Sequence, residues 1–294
     1  MDLSVLPTLT VLSDYVTIAQ LGDNKIVRVV HPKASAAISL HGGHVISFKP
    51  EGQEDLIWMS KDAIFDNKAA LRGGIPICWP WFGRIAAPAH GFARNSAWAL
   101  LEHRESDNGV IVSLGLTDNE HTRAIWPHQF KLVLNVEISD ALKVTLDVTN
   151  TDSTAWQFSG ALHTYLNLGD IHQMTVTGMG ATYVDSLLNN QACEGGDVLT
   201  LTDTIDRVYT APENEIVLHD NAWNRKLSIQ NSGDNSAVLW NPWKEGAESM
   251  GDMNNDGYLS MFCIESSLHA NSLNEGKELA PGESHQLITH IAVR

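Results

Sequence analysis

The sequence predicts an all-β protein, a large antiparallel β-sandwich of two sheets, on three observations. Apolar and polar residues alternate with a period of two in many short segments. Capped segments of helical period are almost absent, and clusters of Gly, Asn, Asp and Ser punctuate the alternation. Each alternating segment has one apolar face, and many such faces are buried most simply by packing sheet on sheet. The 294 residues, 43% of them apolar, suffice for one substantial core. No Pro/Gly/Ser-rich linker or low-complexity tract divides them, so one domain over residues 1–294 is expected.

In chain order, strands are predicted at 15–19, 25–30 and 36–40. A strand around 110–116 puts Val110, Val112, Leu114 and Leu116 on one face. Residues 119–126 have the pattern of a helical turn or two. Phe130, Leu132, Leu134, Val136 and Ile138 share a second strand face, and Leu142, Val144, Leu146 and Val148 a third, with the polar break 139–141 reading as a hairpin. Further strands are predicted at 170–177, 215–219, 226–230, 237–240, 258–264 and 285–293, separated by turn signals at 220–221, 231–235 and 254–257. Residues 203–209 are polar enough to read as a loop.

Thirty-five acidic residues against 19 Lys and Arg give a formal charge of −16, which argues against nucleic acid or an anionic membrane as partner. The same field repels a small anion at long range, so a phosphate site has to be a local cluster of cations. The first ten residues carry no basic and then apolar leader pattern, and no apolar run reaches 18 residues. Cys78, Cys193 and Cys263 are far apart and without metal-ligand spacing, which fits free thiols in a reducing cytoplasm. Cys78 and Cys263 sit in apolar runs and read as buried fillers. A monomer is the default expectation.

The residues able to carry chemistry are few and scattered. The Gly- and Pro-rich segment 71–84 matches neither a P-loop nor a dinucleotide fingerprint, and reads as an ordered irregular loop. Its Arg72 is a candidate phosphate arm, with Trp79 or Trp81 as an apolar platform for a sugar; the alternative is a packed loop whose arginine pairs with a carboxylate. His90 and Arg94 follow in HGFAR at 90–94. Proline and glycine near His90 suit an exposed, positioned side chain, and in an extended stretch the two would share a face roughly 13 Å apart. His163, after Gly160, shares a strand face with Tyr165 and is a candidate proton donor or acceptor. Glu265 closes the apolar run 259–264, where desolvation would raise its pKa; a rim carboxylate in a salt bridge is the alternative. Asp206 is either a hydroxyl acceptor or solvated surface. The one close histidine pair, His41 and His44, lacks further ligands, so no metal is expected. Two histidines and a carboxylate that shuttle protons, with two arginines that hold phosphate, point to a phosphorylated, polyhydroxylated small molecule.

RGGIP at 72–76, HGFARNSAW at 90–98, LHTY at 162–165, DRVY at 206–209 and CIE at 263–265 together resemble the aldose 1-epimerase (galactose mutarotase-like) family, most closely its hexose 6-phosphate branch. The resemblance runs through most of the chain. It implies a sandwich of the galactose-mutarotase type with an open sugar-binding cleft, and a cofactor-free interconversion of α and β anomers, of glucose 6-phosphate or a related sugar. It implies His163 as general acid, Glu265 as general base and His90 as a hydrogen-bonding assistant. Asp206 would hold hydroxyls, and Arg72 and Arg94 the 6-phosphate. The chain departs from that branch at Ser266-Ser267, where Pro-Gly often follows the glutamate. Rival readings are a non-catalytic sugar-binding module, a mutarotase of unphosphorylated aldoses, and a glycoside hydrolase that uses Asp206 with Glu265.

Overall fold

The computed structural model describes residues 2–294 and is built almost wholly of antiparallel strands. Nine strands form the longest sheet, in the order Val198–Leu199, Met174–Thr177, Ile216–Asp220, Arg225–Ser232, Ser284–Val293, Ala141–Asn150, Phe130–Ile138, Gly109–Thr117 and Ala99–Ser106. Phe130–Ile138 alternates strictly between buried and more exposed positions, and Ala141–Asn150 does so except at the buried Thr145, as in a sheet with one face in the core. The faces read from the sequence pair as expected: Val144 lies opposite Val136 and Leu146 opposite Leu134.

An eight-stranded sheet covers this one. Its main path runs Gln191–Glu194, Thr182–Asp185, Ile205–Tyr209, Ser236–Asn241, Met261–Leu268, Gly160–Leu162 and Ile77–Cys78, and Tyr165–Asn167 also pairs with Met261–Leu268. A five-stranded meander, from Thr8–Val11 to His44–Pro50, joins it where Ile75 donates its N–H to the Val45 carbonyl at 2.9 Å. The sheets stay open. One apolar cluster joins all three, with Val27 and Phe48 from the meander, Leu146 and Leu287 from the nine-stranded sheet, and Phe262 and Ile264 from the eight-stranded one.

The alternation within Met261–Leu268 places the site. Phe262 and Ile264 point into that core, so Met261, Cys263 and Glu265 point to the opposite face. Val238 lies opposite Glu265, Trp240 opposite Cys263, and Asp206 opposite Trp240, so all five residues share this outer face. Residues 203–209 are therefore corrected from loop to strand, as Ile205–Tyr209. Its polar residues misled the reading because this face lines a cleft instead of a core.

Other differences are local. Segment 170–177 begins with a 3-10 turn, Ile171–Gln173, before the strand Met174–Thr177. Thr8–Val11, with every residue exposed, and Ala99–Ser106 are edge strands without an apolar stripe. The expected helical turns are Glu120–Ile125, capped by reciprocal hydrogen bonds between Asn119 and Thr122. A second helix, Trp243–Ser249, was not foreseen. Cys78 and Cys263 are buried free thiols, and among the described residues no helix is long and apolar enough to cross a membrane.

Candidate active site

Arg72, His90, Arg94, His163, Asp206 and Glu265, distant in sequence, all line one cleft of about 340 Å³. Phe82, Val238, Trp240 and Met250 supply its apolar walls, and Arg84 is a third cation on its border. The cleft lies on the outer face of the eight-stranded sheet.

His163 falls in a break between Gly160–Leu162 and Tyr165–Asn167, two short strands that both pair with Met261–Leu268. The break is held by backbone hydrogen bonds from His163 N–H to the Pro76 carbonyl and from Ile264 N–H to the Thr164 carbonyl. The imidazole stacks on the Tyr165 ring at 4.8 Å and 9°, and Tyr165 stacks in turn on Trp58 at 5.9 Å and 17°. Trp240 packs edge-on against His163 at 6.0 Å. His163 Nδ1 then lies 3.3 Å from Glu265 Oε1, without the geometry of a hydrogen bond, and Glu265 Oε2 is buried with no partner.

Burial dominates the electrostatics of this pair. Burial, reinforced by nearby Asp206 and opposed by Arg94, pushes Glu265 well above the usual carboxylate range. Burial, with His90, Arg94 and Arg72 adding repulsion, pushes His163 well below the usual imidazole range. Burial thus disfavours charge on both members, which favours a proton on Glu265 beside a neutral imidazole. Asp206 is raised as well, chiefly by burial, against a hydrogen bond from Ser186.

His90 is set by the loop's backbone. Its N–H donates to the Gly83 carbonyl at 2.7 Å, and its Nδ1 accepts from the Gly83 N–H at 3.3 Å. With Nδ1 occupied as acceptor, the proton sits on Nε2. Burial, then Arg94, Arg84 and Arg72, hold its pKa down to about 3, so it stays a neutral donor. The expected extended geometry of 90–94 is corrected: His90 and Gly91 have φ of 63° and 70°, and Ala93–Asn95 is a 3-10 turn. Gly91 is required there, since a Cβ would lie 2.1 Å from the Trp79 carbonyl oxygen. His90 is also only half-exposed, packed edge-on against Phe82 at 5.2 Å.

The tryptophan platform is corrected too. Trp79 and Trp81 are 0% and 2% exposed, and Trp79 packs against Phe130 at 4.5 Å and Trp126 at 5.1 Å. These rings anchor the loop to the core, while the neighbouring Phe82 and the distant Trp240 face the cleft. The arginines also divide. Arg72 donates from Nε to Asp252 and from Nη1 to the Tyr165 hydroxyl, each at 3.1 Å, so the alternative of a carboxylate-paired arginine holds within the cleft. Arg94 donates from Nη2 to the Ala89 carbonyl at 2.9 Å and buries an unpartnered Nε. Neither Arg84 nor Arg94 has an ion-pair partner among the described residues. Arg84, Phe82 and Trp240 were missed as site residues; for Arg84, closing the segment that begins at Arg72 was the available signal. His41 and His44 are structural, each donating from Nε2 to a backbone carbonyl, that of Ala69 at 2.8 Å and that of Gly73 at 2.7 Å.

A family model described as aldose 1-epimerase matches residues 25–292. A Salmonella typhimurium protein provisionally named a glucose-6-phosphate 1-epimerase is 38% identical over 289 residues, 96% of each chain. An Escherichia coli K12 protein with the same provisional name is 36% identical over 279 residues, 93% of each chain. Among solved structures, a provisionally named mutarotase from Salmonella typhimurium superposes with a TM-score of 0.92 at 36% identity, covering 99% of this chain and 97% of the other. The sandwich is thus of the galactose-mutarotase type, and the chain belongs to the aldose 1-epimerase family.

Proposed function

We propose that this protein interconverts the α and β anomers of a hexose 6-phosphate, most simply glucose 6-phosphate, without a cofactor. One observation carries the phosphate: three guanidinium groups border the cleft that holds His163 and Glu265, in a chain of formal charge −16. Two of the three, Arg84 and Arg94, lack a carboxylate partner among the described residues, and a cation without one is suited to an anionic ligand. The provisional names of the relatives agree with this reading.

In the proposed reaction, the resting proton of Glu265 passes to His163 across their 3.3 Å separation, leaving a carboxylate and an imidazolium. Glu265 takes the proton of the C1 hydroxyl, the C1–O5 bond breaks with its electron pair on O5, and His163 protonates O5. The open aldehyde turns about C1–C2, and the reverse transfers close the other anomer. The pair ends with the single proton it began with. Coupling the two transfers avoids ionising a hydroxyl outright. His90 donates from Nε2 to a sugar oxygen, Asp206 accepts from hydroxyls, and Trp240 and Phe82 border the ring. Arg94 and Arg84 hold the phosphate, with Arg72 beside them fixing Tyr165 under His163. Binding energy from the phosphate orients C1 without touching it.

The test is anomer exchange of fresh α-glucose 6-phosphate, followed by proton NMR beside glucose at equal concentration. Acceleration mainly of the phosphate ester is the expected result. Equal acceleration of both sugars removes the phosphate assignment, and saturable binding without exchange of either replaces the enzyme with a sugar-binding module.

A further inference from the structure

We propose that His163, Cys263 and Glu265 form a soft-cation site in the floor of the cleft, which takes Zn²⁺ and thereby closes the enzyme to its sugar. One ligand atom from each of the three residues lies within 4.8 Å of the other two. His163 Nδ1 and Glu265 Oε1 are 3.3 Å apart. Tetrahedral zinc with Zn–N and Zn–O bonds of about 2.0–2.1 Å separates those two atoms by roughly 3.3 Å, and a Zn–S bond of about 2.3 Å places sulfur roughly 3.5 Å from each. The nitrogen–oxygen edge is thus already at the length zinc requires. The sulfur edges need a closure of at most about 1.3 Å, within the reach of a side-chain rotation.

An independent observation points to a ligand here. His163 Nδ1 and Glu265 Oε2 are buried atoms without a hydrogen-bond partner, and Glu265 is 1% exposed. A buried acceptor left unpaired is costly, and a cation at this point would satisfy both. His163 and Glu265 line the cleft, so an ion reaches them from solvent, and Cys263 lies beneath them on the same strand face as Glu265. Three protein ligands leave a fourth position for water. Arg72 and Arg94 oppose a cation, while Asp206 and the net charge of −16 favour it.

A thiolate, an imidazole and a carboxylate together select zinc over the oxygen-seeking Mg²⁺ and Ca²⁺. On binding, the Cys263 S–H bond and the Glu265 O–H bond give way to Zn–S and Zn–O bonds, and both protons leave to solvent. Zinc occupies the lone pairs of both members of the acid–base pair, so neither can exchange a proton with a sugar. Zinc is an inhibitor in this scheme and no part of the reaction. Binding stands independently of the sugar, while the inhibition rests on the proton-transfer roles proposed above.

The experiment uses the purified full-length chain, stripped with a chelator, and measures Zn²⁺ affinity by competition with a chromophoric chelator beside anomer-exchange activity. The wild type should bind one Zn²⁺, lose activity in step with occupancy, regain it with excess chelator, and ignore Mg²⁺. Cys263→Ala should keep its activity without zinc and bind zinc more than about 100-fold more weakly, because loss of an outer-sphere partner alone costs 10- to 100-fold. Cys263→Ser is the second variant should alanine destabilise the core. Unchanged zinc affinity in both, or no one-to-one binding by the wild type, overturns the site. Cysteine-dependent binding without anomer exchange keeps the metal site and refutes the proposed function instead.

Discussion

Replacement of Arg94 by glutamine separates phosphate binding from proton transfer. The residue is half-buried on the 3-10 turn Ala93–Asn95, and its guanidinium holds only the Ala89 carbonyl while burying an unpartnered Nε. It has no ion-pair partner among the described residues, so an incoming phosphate gains a charge-assisted hydrogen bond without breaking an ion pair. Such a bond is worth about 1.5–3 kcal/mol, which is roughly 10- to 150-fold in an equilibrium constant. Arg94 also repels a proton from His163 and favours the carboxylate of Glu265. Its removal makes both groups hold protons more readily; the first effect helps the acid and the second hinders the base. These partly offset in kcat. Arg94→Gln should therefore raise KM for glucose 6-phosphate roughly 10- to 150-fold, change kcat by no more than about tenfold, and leave kcat/KM for glucose within about the same tenfold. Polarimetry or proton NMR on both sugars measures these values. Equal losses for the two sugars would refute the reasoning, as would a kcat effect larger than the KM effect.

Arg84→Gln should act in the same sense but more weakly, about two- to tenfold in KM, because Arg84 is exposed and screened by solvent. Glu265→Gln should lower kcat roughly 10²- to 10⁴-fold with sugar-phosphate binding retained by calorimetry. Since burial disfavours charge on the wild-type side chain, the neutral amide should not lower the melting temperature. His44 is buried, donates to Gly73, and is held by burial at a pKa of about 3. The unfolded chain takes up this proton near pH 6.5 while the folded chain refuses it. The neutral fold is thus fully favoured above about pH 6.5 and loses up to about 1.4 kcal/mol per pH unit as pH falls toward 3. Urea unfolding from pH 7 to 4 should show His44→Gln with a slope shallower by roughly one proton; parallel slopes contradict the assignment. Gly91→Ala should cost about 3 kcal/mol or more in denaturant unfolding, because its Cβ meets the Trp79 carbonyl at positive φ. Anomer exchange should fall as His90 is displaced.

The sheet that has one face in the core and one in water was legible in the order of the amino acids. Along Phe130–Ile138 and Ala141–Asn150 the solvent writes the alternation directly, because each residue is either packed or hydrated. The chemistry-bearing residue types and their motifs were legible for a related reason: buried ionisable groups beside apolar runs, as in 259–265, are costly and seldom idle. Alternation was not legible in Ile205–Tyr209, where Asp206 faces a cleft that the strand itself cannot reveal. Nor does the stretch 79–82 distinguish the core rings of Trp79 and Trp81 from Phe82 at the cleft, since aromatic residues serve either environment. That His163 and Glu265, 102 positions apart, meet at 3.3 Å is visible in the folded chain alone. That contact comes from register: two short strands on either side of His163 pair with the one strand that carries Glu265. Only the assembled cleft decided that Arg72 is tied to Asp252 while Arg84 and Arg94 have no ion-pair partner among the described residues. Which counter-charge an arginine meets depends on what folds against it, and in a chain with 35 acids its own neighbours in sequence do not say.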